Sequence, residues 1–392
     1  MISKEHYFDW AATAPQDESI IKEALQCSLE HWGNPSSIHE AGSDAKKFLE
    51  EARKRAGKAL NVNPENIYFT SGGTESDHIP LLSVLTRPQK GNIILSAIEH
   101  PALREMAKMV ENCGWKTIFV SPNKDGVVEP EAIEEKLNGD TAFVSVMAVN
   151  NETGVIQPIY KIADMLTDWA KNKRRPLFHV DCVQAGGKIP LNLNYRGIDA
   201  ASFSAHKIGG PRGSGILYLS KEINSFLRGG GQEKGIRSGT ENLFGATAIS
   251  LCLEKYFISE QNQTAFERYK TQENWTNDFI NGLKKIKGCS IIPHKRGSSD
   301  AQCEAYSPWI VQASFPGIPG QVMERALSSK GFYISTGSAC SAGKHSRPIL
   351  DTMQIAGEEK EAAVRFSFGF STSQKSMQEL LEAIKEVTEQ FL

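Results

Sequence analysis

The chain has 392 residues, of which 40% are hydrophobic and 23% charged, and its formal net charge is −2 at pH 7. This composition is typical of a globular protein with one large domain or two smaller ones. The balanced charge excludes a strongly basic surface for nucleic acid and an acidic tail for a basic partner, and no apolar run approaches the ~18 residues of a membrane span. We therefore expect neither nucleic acid nor a membrane as a partner.

Seven cysteines are scattered along the chain without a CxxC pair, at positions 27, 113, 182, 252, 289, 303 and 340. Their number is odd and their spacing is irregular, which argues against a disulfide framework and against a structural metal site. The opening stretch MISKEHYFDW lacks the apolar core of a secretion signal. We therefore expect reduced thiols, no bound metal and a cytoplasmic location.

The first part of the chain alternates between helical and strand-like patterns. Periodic apolar residues predict helices over 20–29 and 41–60. Short apolar runs between later helical stretches predict strands, in the segments NIYFT, NIILS, TAFVS, LFHVD, AASFS and GILYL. This alternation is typical of an α/β fold with a mostly parallel, doubly wound sheet.

The pattern changes after about residue 250. One long helical stretch is predicted over 246–283, followed by strands near Ile291 and over 309–315 and by a helix over 321–330. The run VRFSFGF and a terminal helix over 376–392 complete the chain. We interpret this as a large domain over 15–260 and a smaller α+β domain, formed by 1–14 and 261–392.

Polar residues recur where the predicted strands end. In doubly wound sheets, ligands bind beyond the carboxyl ends of the strands. A single large active site is therefore predicted from seven residues, namely Thr74, His100, Asn151, Asp181, Ser204, His206 and Lys207.

The segment SAHK, followed by GGPRGSG, ends in Lys207. Taken alone, it is most simply a surface loop. A lysine at a strand end can, however, form a Schiff base with pyridoxal phosphate (PLP) when its surroundings lower its charge. PLP also needs a carboxylate at its pyridine nitrogen, for which Asp181 is the candidate, although a helix N-cap is the ordinary alternative for an aspartate there.

The remaining requirements of PLP also have candidates in the sequence. The turn SGGTES supplies Gly73 and Thr74 where a strand becomes a helix, which suits a phosphate group. His100 can stack on the ring, and Asn151 and Gln184 can contact its phenolic oxygen. Arg365 in VRFSFG can bind a substrate carboxylate through two parallel hydrogen bonds. Each assignment is weak alone, and the set is stronger because all of the candidates follow strands.

Cys340 lies in ISTGSACSAG, a run of small residues with no apolar neighbours and no second metal ligand. Core cysteines and metal-binding cysteines occur in other contexts. A thiol on a loop of small residues is suited to a nucleophile that must move.

In combination these motifs resemble the cysteine desulfurases, which belong to the class V aminotransferase group of PLP enzymes. The resemblance extends nearly end to end, through YFDWAATAP, GNPSSIHEAG, FTSGGTES, EHPA, VNNETGVIQP, FHVDCVQ, SFSAHKIGGPRG, GGGQEKGIRSGTEN, STGSACSAG and VRFSFG. It implies the PLP-dependent transferase fold, whose large domain has a mostly parallel seven-stranded sheet and whose smaller domain carries the cysteine loop.

The resemblance also implies roles by matched position. Lys207 would hold the cofactor covalently, Asp181 would pair with the pyridine nitrogen, and His100 would stack on the ring and move protons. Arg365 would bind the substrate carboxylate, with Asn34 nearby. The remaining cofactor contacts would come from Gly73, Thr74, Asn151, Gln184, Ser204, His206 and Thr240.

Thr240 would reach the cofactor of a neighbouring subunit, which implies a homodimer with composite sites. Cys340 would take sulfur from L-cysteine as a persulfide, release L-alanine, and pass the sulfur to an acceptor or scaffold protein for iron–sulfur cluster or thio-cofactor assembly. The alternatives within PLP chemistry are a selenocysteine lyase, a cysteine sulfinate desulfinase and an aminotransferase, and outside it a catalytically weak scaffold.

Some positions depart from the family pattern. Trp10 stands where Asn is usual and Ala14 where Thr is common, which puts substrate shape or loop docking in doubt. Ala205 replaces a common Gly. After the cysteine, KHSRPIL makes the loop exit basic through His345 and Arg347, and KNKRRP adds a basic stretch that we interpret as a solvated loop.

Overall fold

The computed structural model describes residues 3–259, 262–298, 302–337 and 347–391. Cys340 and His345 lie outside the described residues. The helices of the described chain are α1 (Glu18–Glu30), α2 (Glu40–Leu60), α3 (Gly73–Leu82), α4 (Pro101–Asn112), α5 (Pro130–Glu134), α6 (Ile159–Trp169), α7 (Leu243–Tyr256), α8 (Gln263–Leu283), α9 (Gly320–Ser329), α10 (Pro348–Thr352), α11 (Gly357–Glu361) and α12 (Gln374–Phe391).

The strands form two sheets. The large sheet contains β1 (Ile67–Thr70), β2 (Asn92–Ser96), β3 (Lys116–Val120), β4 (Thr141–Ser145), β5 (Leu177–Asp181), β6 (Ala200–Ser204) and β7 (Gly215–Leu219). Its order is β1-β7-β6-β5-β4-β2-β3, and only β7 runs antiparallel to its neighbours. The predicted mostly parallel, seven-stranded sheet is confirmed. The second sheet has the order β10-β9-β8 and is antiparallel, with β8 (Ser290–Ile292), β9 (Ile310–Ser314) and β10 (Ala363–Ser367).

The large sheet is buried on both faces because successive side chains of a strand point to opposite sides. On β2, Ile94 joins one hydrophobic cluster, while Ile93 and Leu95 join a second cluster. The strand β3 was missed from the sequence. Among the described strands it is an edge strand that pairs with β2 alone, and most of KTIFV is at least partly exposed, so it lacks the apolar run of a central strand.

The single helix predicted over 246–283 was wrong. α7 ends at Tyr256, Phe257 has extended backbone, and α8 begins at Gln263. Asn262 marks the break from both sides, because its Nδ2 donates to the carbonyls of Glu254 and Phe257 while its Oδ1 accepts from the Ala265 N–H. The side chain of Asn262 thus satisfies backbone groups at the end of α7 and at the start of α8, which is why one helix ends and another begins here.

The N-terminal segment pairs with the second half of the chain. Tyr7 forms a parallel bridge with Tyr333, and Asp9 forms one with Ser367. Within the described ranges no helix is both long and apolar enough to cross a bilayer, and the same ranges hold no His/Cys/Asp/Glu group suited to a metal ion.

Candidate active site

A cavity of about 290 Å³ opens at the carboxyl ends of the large sheet's strands. The sequence-predicted residues that line it are Gly73, Thr74, His100, Asn151, Asp181, Gln184, Ser204, His206, Lys207 and Arg365. Asn34 and Thr240 are exposed and do not line it within one chain. The topology explains the convergence, because parallel strands end at the same edge of a sheet.

Lys207 lies in the turn directly after β6, with its side chain in the cavity. Its Nζ donates to the carbonyl oxygens of Ala11 and Ala12, each at 2.7 Å. The N-terminal segment therefore forms one wall of the cavity and holds the lysine amine through backbone acceptors.

Asp181 is the last residue of β5 and is buried. Its Oδ1 accepts the Val183 N–H at 2.8 Å, which forms a local turn; no helix of the described chain begins there, so the N-cap alternative does not apply. Burial raises its pKa to about 6, opposed by the Val183 N–H and by the charge of Lys207. This carboxyl is therefore poised to hold or share a proton near neutral pH.

A second buried pair lies behind Asp181 and was missed from the sequence. The ring of His179 lies between the hydroxyls of Ser145 and Ser202, at 2.9 and 2.8 Å, and its Nε2 is 3.5 Å from Asp77 Oδ1. Burial lowers the pKa of His179 to about 3, so the ring is neutral. Burial and the Asp181 charge raise the pKa of Asp77 well above its ordinary range. A histidine inside the apolar strand LFHVD was the available signal.

The turn before α3 forms a cradle for an anion. Gly72 has a φ of +151°, and a Cβ on Gly73 would lie 2.7 Å from Val183 Cγ2. No side chain caps the N-terminus of α3, so its first N–H groups face the adjacent opening, which Ser204 and His206 also line. Glycine is favoured at both positions because the positive φ of Gly72 strains other residues and a Cβ on Gly73 would clash with Val183.

His100 is the N-cap of α4, and its Nδ1 accepts the Ala102 N–H at 3.2 Å. The neutral ring therefore carries its hydrogen on Nε2. Burial, and then the charges of Lys207 and Arg104, lower the pKa of His100 to about 4, so the ring stays neutral at pH 7. His206 is similar: its Nδ1 lies 3.1 Å from Thr13 Oγ1, and burial lowers its pKa to about 4.

Gln184 is held from two sides. Its Nε2 donates to the Ala11 carbonyl at 2.9 Å, and its Oε1 accepts from Lys188 Nζ at 2.8 Å. Lys188 is fully buried, and burial lowers its pKa well below the ordinary value, with further lowering by Lys207 and Arg365. The sequence analysis did not identify this lysine.

Arg365 lies on β10 and crosses from the small sheet to the cavity. Its Nη1 donates to the Asn151 carbonyl at 2.9 Å and its Nη2 to Asp9 Oδ1 at 2.7 Å, so the guanidinium is fixed from behind. Its Nε and the Oδ1 of Asn151 are buried and have no hydrogen-bond partner among the described residues. These two unpaired atoms can bind a polar ligand.

The cavity also contains two charged residues that the sequence analysis missed, Arg104 and Glu152. Arg104 lies inside α4, and Glu152 follows Asn151 in a turn. Burial raises the pKa of Glu152 to about 7, and its Oε2 has no hydrogen-bond partner within the described ranges. The motif NNETG contains Glu152. Arg104 could not be predicted from the sequence because a charged residue inside a helical pattern is ordinary.

Trp10 packs away from the cavity, which Ala11 and Ala12 line instead. Its indole is 3% exposed and meets Phe370 edge-to-face at 5.8 Å, and a Cβ on Gly369 would lie 1.9 Å from the indole ring. Trp10 therefore does not line the cavity, so any effect of this residue on substrate shape is indirect. Arg347 is buried and donates to the Ala363 carbonyl, so it anchors β10 and does not form a basic surface.

The model of the class-V aminotransferase family matches residues 6–380. A NifS/IcsS protein homolog of Lactobacillus delbrueckii subsp. bulgaricus is 34% identical over 98% of this chain and 97% of its own length. The cysteine desulfurase IscS of Methanosarcina thermophila is 33% identical over 99% of this chain and 93% of its own length.

Solved structures agree with these sequence matches. A structure titled NifS-like protein has a TM-score of 0.87 and 34% identity, and the match covers 99% of this chain and all of that chain. A structure titled SspA in complex with cysteine has a TM-score of 0.76 and 25% identity, over 94% of this chain and all of that chain.

Proposed function

The chain belongs to the class-V aminotransferase family and within it to the cysteine desulfurases, and from this premise we propose that it uses PLP to convert L-cysteine to L-alanine and holds the sulfur as a persulfide on Cys340. The observation that carries the proposal is the convergence of Lys207, Asp181 and Arg365 in one cavity. An amine, an acid and a fixed guanidinium are the groups that such a reaction needs around the amino acid.

The donor set of the cavity fits PLP. The N-terminus of α3 would take the phosphate, with Gly73, Thr74, Ser204 and His206. The unpaired Asn151 Oδ1 and the amide of Gln184 would face the ring. Lys207 would hold the cofactor covalently through Nζ. When bound, PLP supplies an electron sink for charge that develops at the substrate's α and β carbons.

Asp181 would pair with the pyridine nitrogen of the cofactor. A carboxyl whose pKa is raised to about 6 by burial is ionised at pH 7, and a cationic N–H beside it is then stabilised by a charge-assisted hydrogen bond. The neutral His179 and its two serine partners fix the surroundings of this acid without adding charge.

Arg365 binds the substrate carboxylate. Asp9 and the Asn151 carbonyl hold its two Nη atoms, and its buried Nε has no partner among the described residues. Because the guanidinium is already oriented, little side-chain entropy is lost when the substrate binds. The substrate amino group is thereby directed toward Lys207.

Lys207 and His100 have different roles in the proposed proton chemistry. The Nε2–H of His100 is a donor, because its Nδ1 is occupied by the Ala102 N–H. The ring therefore supports the substrate as a neutral hydrogen-bond donor, and its low pKa disfavours gain of a second proton. Removal and return of the α-proton belong to the amine of Lys207.

The remaining parts of the proposal concern assembly. We propose a homodimer in which Thr240 and Asn34, both exposed in one chain, complete the partner's cavity. The sulfur acceptor is a scaffold or carrier protein for iron–sulfur clusters or thio-cofactors.

The division into 15–260 and a small domain of 1–14 with 261–392 is supported by the bridges from Tyr7 and Asp9 to Tyr333 and Ser367. A cytoplasmic location is supported by the free thiols at positions 27, 113, 182, 252 and 289.

The test is to incubate the PLP-loaded protein with L-cysteine and a thiol reductant and to quantify sulfide and alanine. We expect equimolar products from the wild type and a loss of at least about 100-fold in Cys340→Ser, because a hydroxyl cannot accept the sulfur. Lys207→Ala should lose the absorbance band of the bound cofactor.

Cys113→Ser is the matched control, since Cys113 is an exposed free thiol outside the cavity. It should retain both products. Absence of sulfide from the cofactor-loaded wild type contradicts the desulfurase, and equal rates in Cys340→Ser and Cys113→Ser contradict the persulfide on Cys340.

A further inference from the structure

Two arginines reach the cavity from different elements. Arg365 comes from β10 of the small sheet, and Arg104 comes from α4, which follows β2 of the large sheet. The Nε of each is buried, and neither Nε has a hydrogen-bond partner in the parts of the chain that the structure describes. Arg365 is fixed by Asp9 and the Asn151 carbonyl. The side chain of Arg104 forms no hydrogen bond or ion pair with any described residue.

The position of Arg104 is unfavourable for stability alone. It lies close to the N-terminus of α4, where the positive end of the helix dipole disfavours a cation, and the first turn of α4 contains no acidic residue. One turn later, Lys108 on the same helix is exposed and forms an ion pair with Glu105. The helix therefore compensates its outer cation and leaves the one in the cavity uncompensated, which points to a ligand.

Two buried acids interact electrostatically with Arg104, and they neutralise its charge only in part. Burial raises the pKa of Glu152 to about 7, and burial together with the charge of Asp181 raises that of Glu99 to about 8. The charge of Arg104 opposes both shifts, and both acids are still partly or largely protonated near neutral pH. Glu99 Oε1 is occupied by the Ser96 hydroxyl and the Met147 N–H, each at 2.7 Å. Neither acid forms an ion pair with Arg104 within the described ranges.

We propose that Arg104 is a substrate-specificity residue that binds an anionic group on the substrate's β carbon. The assignment rests on the proposed function, in which Arg365 takes the α-carboxylate. An amino acid with a neutral side chain has no second anion for a second guanidinium. The class of ligand is therefore an L-α-amino acid whose β carbon carries a thiolate, sulfinate or carboxylate, and for L-cysteine the guanidinium favours the ionised thiol.

L-Aspartate and L-asparagine test this assignment, because they have nearly the same shape and differ in the charge on the β substituent. Binding to the PLP-loaded protein is measured at equilibrium from the change in cofactor absorbance, and independently from the shift in the melting temperature. We expect wild type to bind L-aspartate at least about tenfold more tightly than L-asparagine, the factor typical of one charge-assisted hydrogen bond.

Arg104→Met should bring the two affinities within about twofold of each other, chiefly by weakening L-aspartate. Arg104→Lys keeps the charge without the fork and should retain part of the preference. Lys108→Met removes a cation from the same helix outside the cavity and should leave the preference intact. The cofactor band of each variant shows that its site is folded.

Equal affinities in wild type, or a preference that survives Arg104→Met, overturn the assignment. Sulfide and alanine from L-cysteine, measured on the same wild-type preparation, separate the two proposals. Desulfuration without discrimination between the ligands overturns the role of Arg104 alone. Discrimination without desulfuration supports the anion site and overturns the desulfurase.

Discussion

At the scale of single residues, the buried side chain of Lys188 lies outside the cavity but helps to determine the orientation of the Gln184 amide, which lines it. The Ala11 carbonyl can only accept, so the amide nitrogen of Gln184 must face it, and the amide oxygen then accepts from Lys188 Nζ. Lys207 donates to the same carbonyl. Lys188 thus positions Gln184, whose amide shares the Ala11 carbonyl with the amine of Lys207.

This arrangement costs stability at neutral pH. Burial lowers the pKa of Lys188 in the folded state below its unfolded value, so the unfolded chain binds more protons over the pH range between the two values. Stability contributed by this residue therefore rises with pH across that range. Lys188→Met removes the buried amine and should increase the free energy of unfolding at pH 7 by on the order of 1–2 kcal/mol, with a difference from wild type that shrinks toward pH 10.

Urea unfolding at several pH values between 6 and 10 measures this difference, and Lys116→Met, at an exposed lysine, should show no such dependence. Lys188→Met also frees the Gln184 amide to turn, so the absorbance maximum of the bound cofactor should differ from that of wild type. A variant that is less stable than wild type at pH 7 and has an unchanged cofactor spectrum contradicts both the burial cost and the positioning role.

The site residues that could be predicted from the sequence are those that lie near the end of a predicted strand. Lys207, Asp181 and His100 each follow an apolar run directly, so the strand pattern located them. Arg104 lies inside a helix and Asp77 in the first turns of another, where charged residues are ordinary. Lys188 follows Gln184 by four residues in a turn with no periodic pattern. Their importance arises from burial, which depends on packing between distant segments and is not readable from spacing.

At the scale of elements, the break between α7 and α8 depends on one side chain. Asn262 accepts the Ala265 N–H at the start of α8 and donates to two carbonyls at the end of α7. Asn262→Ala should therefore lower the free energy of unfolding by about 1–2 kcal/mol, the usual loss for an N-cap with an added hydrogen bond. Chemical denaturation measures the change.

Asn281→Ala is the control for this element, because Asn281 lies on the exposed side of α8 and alanine favours the helix. It should leave stability unchanged or slightly higher. Equal effects of the two substitutions would show that Asn262 does not cap. One helix was predicted here because the apolar periodicity of 246–283 does not reveal which asparagine replaces backbone hydrogen bonds. The strand β3 was missed because an exposed edge strand has no apolar run.

At the scale of the whole molecule, the cavity is built from segments that are far apart in the chain. Ala11 and Ala12 from the N-terminus form the wall that holds Lys207, while Arg365 enters from the other end of the sequence. Trp10 fixes this wall from behind, over Gly369 and against Phe370. The resemblance to a family predicted the place of Arg365 in the site, whereas the contacts of the N-terminal wall were not predicted because spacing along the chain contains no information about them.

The surface around Asn34 supports the proposed homodimer. Leu25 and Leu29 lie one turn apart on α1 and are about half exposed, and Trp32 and Ile38, on either side of Asn34, are 76% and 99% exposed. Side chains of this size are seldom left in water together, and a second copy of the chain would cover them in an isologous interface. Sedimentation equilibrium should give a mass near twice the 43.2 kDa of one chain.

Trp32→Glu combined with Ile38→Asp should shift this mass toward that of one chain, because two carboxylates cannot be buried in an apolar interface without partners. The double variant should also lose most turnover of L-cysteine, since Asn34 and Thr240 would no longer reach a partner's cavity. Met109→Glu, at an exposed apolar residue on α4, should leave both the mass and the turnover unchanged. A monomeric wild type with full turnover would show that each cavity is complete within one chain, and the exposed positions of Asn34 and Thr240 would then exclude both residues from the site.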